Sequence, residues 1–164
     1  MRLLKQIGMF LLLPLIILID GHLGQFVNSF FPHFQIVSHF IFIFLLFETI
    51  EVSEYLFLVY CLFIGLIYDI YFFHLVGIAS LLFVIIGAII YKNNAIILSN
   101  RWTRLLAILM MTFSFEFGSF FLAQMIGLTA ESITVFIVYG LVPSMILNCL
   151  WMLVFQFIFE KIYL

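Results

Sequence analysis

The chain has 164 residues, two thirds of them hydrophobic, with six Lys or Arg against eight Asp or Glu and a mean hydropathy of +1.36. So few charged side chains cannot coat a water-soluble domain of this size, which leaves the bilayer as the solvent. A formal net charge of −2 also excludes a nucleic-acid-binding surface, which needs a basic face.

The first apolar run covers residues 3–19, with Arg2 and Lys5 at its start and Pro14 inside it. Those flanks imitate a secretory signal, but Asp20-Gly21-His22 follows with no small-x-small cleavage site, so an uncleaved span is expected. A longer reading continues this run irregularly past Gly21 and Gly24 to Phe31, and Pro32, His33 and Gln35 then punctuate the chain. The second run, 36–50, is short for a crossing at about 1.5 Å per residue. The third and fourth, 55–72 and 75–91, are joined by a very short turn and predict a helical hairpin. The fifth covers 103–126; the sixth covers 133–159 and holds Pro143, where a kink is expected.

Charge decides the topology of these runs. With six crossings and a cytoplasmic N-terminus, Arg2, Lys5, Lys92, Arg101, Arg104 and Lys161 all fall on the cytoplasmic side. Omitting the second crossing would split that set. The expectation is therefore an all-α integral membrane protein, one domain over 1–164, folded as a compact six-transmembrane-helix bundle with both termini cytoplasmic. The acidic tip Glu48, Glu51, Glu54 then lies inside, and His22, His33 and His74 lie toward the outer face.

Several side chains stand out against this apolar background. Gly65 and Asp69 share a helical face with Cys61, while Gly77, Ser80, Val84, Gly87 and Ala88 form a small-residue stripe on the next run. That spacing predicts a closely packed hairpin in which Asp69 fastens the turn before Gly77. In the fifth run Thr112, Glu116, Ser119 and Ala123 step by four, three and four, drawing a polar seam on one helix face. A carboxylate at mid-membrane must face the bundle, so Glu116 reads as a helix contact, with a proton or ion relay as the other reading. Gly140, Ser144 and Asn148 form a similar seam in the sixth run, open to an internal helix or to another protein.

Cys61 and Cys149 lie within apolar runs and indicate neither a disulfide nor a metal motif. His22, His33, His39 and His74 are irregularly spaced and read as interfacial side chains. Neither a nucleophile motif nor a phosphate loop nor a dinucleotide fingerprint is present, so no cofactor and no enzymatic activity are expected.

The pattern Gly65-Leu-Ile-Tyr-Asp69, then Gly77 eight residues on, then an apolar helix carrying Gly87, resembles the central hairpin of the bacterial rod shape-determining protein MreD family. Length, number of apolar runs and charged tips agree with that family over the whole chain. The resemblance implies a non-enzymatic scaffold of the cell-elongation complex in the bacterial plasma membrane. Its implied partner is MreC, with which it would link the MreB system, where present, to a RodA-type glycosyltransferase and a class B penicillin-binding protein; a homo-oligomer is also open. It further implies a likeness to the six-helix substrate-binding subunits of energy-coupling-factor vitamin transporters, which makes a transporter subunit the alternative. Against the alternative, Gly8 is the lone small residue in a first run of large side chains. The outer loops, short and rich in Phe, promise few convergent groups to hold a polar ligand.

Overall fold

The structure, a computed structural model, describes the backbone of residues 2–163 and the side chains of 13–72 and 74–157. Arg2, Lys5, Gly8 and Lys161 therefore fall outside the described side chains. All regular structure among the described residues is helical. Helix α1 runs Arg2–Phe30, α2 Phe40–Glu48, α3 Glu54–Tyr68, α4 Ile78–Leu98 and α5 Arg101–Met125. A short helical turn, Ile133–Val135, and a π-helical segment, Phe136–Leu141, lead without a break into α6, Val142–Tyr163. A second π-helical segment, Asp69–Phe73, extends α3.

Five of these helical stretches are long and apolar enough to cross a membrane: Leu13–Phe30, Glu54–Phe72, Ile78–Leu98, Arg101–Met125 and Ile133–Phe157. The exception is the expected second helix over 36–50. Only Phe40–Glu48 is helical there, nine residues that reach about 14 Å against a hydrocarbon core of roughly 30 Å. Residues 34–39 ahead of it carry no regular structure. The first helix extends beyond the 3–19 run, passing Gly21 and Gly24 to Phe30 as the longer reading of that run has it, with Gly21 near Phe72 and Gly24 near the backbone of Ile36 and Ser38. The fourth begins at Ile78 rather than 75 and continues to Leu98, where Asn94 donates a side-chain hydrogen bond to the Thr49 carbonyl.

Packing follows sequence order: α3 lies along α4, α4 along α5, and α5 along α6, while α1 contacts α2 and α3. The short α2 is apolar all round, and that composition places it inside, with Ile41, Phe42, Ile43, Leu45 and Leu46 buried. Phe42 meets Phe83 of α4 and Phe115 of α5 with ring centroids 5.4 and 5.6 Å apart, and Tyr68 meets Phe83 at 5.2 Å. Four helices thus converge on one aromatic cluster, each such pair worth about 0.5–1.5 kcal/mol beyond its buried area.

The hairpin of α3 and α4 is as close as its small residues allow. A Cβ added at Gly65 would overlap the Ser80 Cα and lie 2.7 Å from its nitrogen, so the two backbones touch at that level. At Gly87 the intruding group is Cys61, whose Sγ would be 2.5 Å from an added Cβ.

Candidate functional site

A set of polar side chains is buried within this bundle, and several of them hold backbone. Asp69 is fully buried at the start of the π-helical segment. Its Oδ2 accepts from the Gly77 and Ser80 N–H groups at 2.8 and 3.1 Å, and its Oδ1 from Ala79 N–H at 2.7 Å. These are the first donors of α4, which Gly77 itself, as N-cap, cannot satisfy. Gly77 sits at φ 131°, a conformation open to glycine and strained for any other residue.

Asp20 of α1 does the same for α2. The N-cap residue His39 offers no side-chain cap; instead Asp20 accepts from Phe40 N–H at 2.9 Å and Ile41 N–H at 3.4 Å. Tyr68 completes the set by donating its hydroxyl to Asp20 at 2.9 Å. Consecutive residues Tyr68 and Asp69 therefore tie α3 to two different helix starts.

Residues 34–39 form a strap across the bundle, and its backbone is satisfied almost as a strand would be, by side chains in place of a neighbouring strand. On one side Asn28 of α1 both accepts from Ile36 N–H and donates to Ile36 C=O, each at 2.9 Å. On the other, Ser144 accepts from Val37 N–H at 2.9 Å, while Asn148 donates to Val37 C=O at 3.1 Å and accepts from His39 N–H at 2.7 Å. Gln35 N–H reaches the Tyr139 carbonyl of the π-helical segment at 2.8 Å. Irregular backbone at membrane depth is tolerated only with such partners, since each unpaired group in hydrocarbon costs several kcal/mol.

This arrangement says where the residues singled out in the sequence lie. Gly65, Asp69, Gly77 and Gly87 meet within the α3–α4 hairpin. Ser144 and Asn148 are turned toward the chain's own strap, and the Gly140 position lies near the Gln35 carbonyl. Thr112, Glu116, Ser119 and Ala123 are all buried on one face of α5. Glu116 has a partner the sequence did not suggest: its Oε1 lies 2.7 Å from Nε2 of His39, 77 residues away. His39 is thus buried rather than interfacial, its ring set against Phe42 and Phe115 at 5.2 and 5.0 Å. Asp20 was equally hidden, placed in sequence at the end of a run. One available signal was that acids and histidines flanked by apolar residues seldom face lipid.

Between α1, α3, α5 and the strap these groups enclose a cavity of about 250 Å³, lined by Asp20, Asn28, His39, Tyr68 and Glu116 among others. The expectation of few convergent polar groups at this end is corrected here, because they come from helix interiors and the strap rather than from loops. Among the described residues no group of three or more His, Cys, Asp or Glu could hold a metal ion.

A single bundle of membrane-crossing helices, with buried carboxylates and amides holding its own backbone, defines a polytopic integral membrane protein. The family model for rod shape-determining protein MreD matches residues 4–164, and the chain belongs to that family. It is 64% identical to the cell shape-determining protein MreD of Streptococcus pneumoniae (strain ATCC BAA-255 / R6) over 164 residues, all of both chains. No solved structure matches it.

Proposed function

We propose that this chain is a non-enzymatic scaffold of the bacterial cell-elongation complex, which binds MreC by helix packing and so supports peptidoglycan synthesis and control of cell shape. The carrying observation is the full-length match to a shape-determining relative. The interior supports it: Asp20, Asp69, Asn28 and Asn148 are engaged with the chain's own backbone, the pattern of a rigid support. The reading includes indirect links to a RodA-type glycosyltransferase, a class B penicillin-binding protein and MreB.

The scaffold crosses the membrane six times in this reading, the second crossing being the strap plus α2. Six strap residues at about 3.3 Å each and nine helical ones at about 1.5 Å reach roughly 33 Å, enough for the hydrocarbon core. Both termini are then cytoplasmic, and the count of six crossings agrees with the implied likeness to energy-coupling-factor substrate-binding subunits. Depletion of the protein tests the functional core of the proposal. Rod-shaped or ovoid cells should lose width control within a few generations and recover it on re-expression; unchanged width at full depletion would overturn the scaffold reading.

A further inference from the structure

We infer that the cavity between α1, α3 and α5 is a binding site for a small ammonium group, carried by a free amine or by an aminolipid headgroup. This goes beyond the scaffold reading and does not depend on it. The cavity, about 250 Å³, has the volume of about eight waters at roughly 30 Å³ each, enough for a group of a few heavy atoms with some hydration.

Its charge selects the ligand. The lining contains two carboxylates, Asp20 and Glu116, one imidazole, His39, and neither Lys nor Arg. Asp20 accepts from two backbone N–H groups and from the Tyr68 hydroxyl, so its carboxyl oxygens face donors there. Glu116 and His39 have zero net charge if they share one extra proton and −1 otherwise. With Asp20 ionised, either state leaves the cluster an excess of negative charge. The α2 N-terminus offsets about half a unit of it, and no other positive group faces the cavity.

The unused groups have matching chemistry. Glu116 Oε2 makes no hydrogen bond with a described residue, and His39 Nδ1 is buried without a partner among them. Tyr68, Phe72 and Phe115 present rings to the same space, and aromatic faces beside a carboxylate attract an ammonium ion. An anionic ligand would meet two carboxylates and is excluded. Gln25, which is exposed, lines the cavity and marks where it reaches the surface.

The full-length protein in phosphatidylglycerol nanodiscs provides the test, with thermal unfolding read against ethanolamine, choline, or phosphatidylethanolamine added to the disc. A saturable rise in midpoint is expected with at least one of them: response to free ethanolamine or choline assigns a soluble amine, and response to phosphatidylethanolamine alone assigns a lipid. Glu116→Gln, which keeps the shape and removes the charge, should weaken that binding at least tenfold. Gln25→Lys, at an exposed position, should do the same by tethering a competing ammonium at the mouth, and decides the matter alone if the Glu116 variant does not fold. The inference is overturned if no probe shifts the midpoint, if acetate shifts it equally, if Gln25→Lys leaves the response unchanged, or if only a lysine-bearing peptide responds.

Discussion

Asp69 and Asp20 each supply, from another part of the chain, the cap that a helix start lacks. Asp69 was legible in the sequence because Gly65 and Gly77 mark a close approach and a turn on either side of it. Asp20 was not, since its role depends on a strap that the apolar pattern of 36–50 disguised as helix. The same holds for His39 and Glu116: a contact across 77 residues leaves no periodic signature. Removing Asp69 strands up to three N–H groups of α4, two of them in bonds buried from solvent. Asp69→Ala should therefore destabilise the fold by about 1–3 kcal/mol for each buried donor left unpaired, and Asp69→Asn by less, because an amide oxygen still accepts. Denaturant unfolding in mild detergent measures both. Equal, severe loss of function in the two variants at normal abundance would show that the charge itself is required.

At the scale of elements, the α3–α4 hairpin was the part best read from sequence, since small residues four apart mean the same thing wherever they occur in a membrane. The two glycines nevertheless differ in what they face, and this separates their variants. At Gly65 an added methyl group meets backbone of Ser80 and Ala79, which cannot yield without moving α4. At Gly87 it meets the Cys61 thiol, a side chain that can be shortened. Gly87→Ala should thus be rescued by Cys61→Ala, whereas Gly65→Ala should remain unstable in either background. Melting temperatures of the four variants check this, and rescue of Gly65→Ala by Cys61→Ala would contradict the packing. The strap was illegible for a physical reason: its partners, Asn28, Ser144 and Asn148, come from helices at opposite ends of the chain.

Over the whole molecule, the described cations Lys92, Arg101 and Arg104 gather with Glu48, Glu51 and Glu54 at the end where Tyr91 bonds to the Val52 carbonyl and Asn94 to that of Thr49. The opposite end carries exposed His74 and the π-helical turn. With the cation-rich end cytoplasmic, a cysteine at His74 in a chain lacking Cys61 and Cys149 should react with an impermeant thiol reagent in intact cells, and one at exposed Asn93 should not. Labelling at Asn93 alone would invert the bundle. The composition had already fixed the membrane as solvent, and five of the six expected long helices followed from hydropathy; what hydropathy could not show is that only Phe40–Glu48 of the second run is helical. The proposed scaffold requires this bundle, whose buried polar groups brace its own backbone, to hold a partner helix in place. The most direct measurement of that claim is purification of tagged protein in mild detergent from its own cells. The scaffold account predicts co-purification of an MreC-like single-span protein, and recovery of ATP-binding coupling subunits in its place would contradict it.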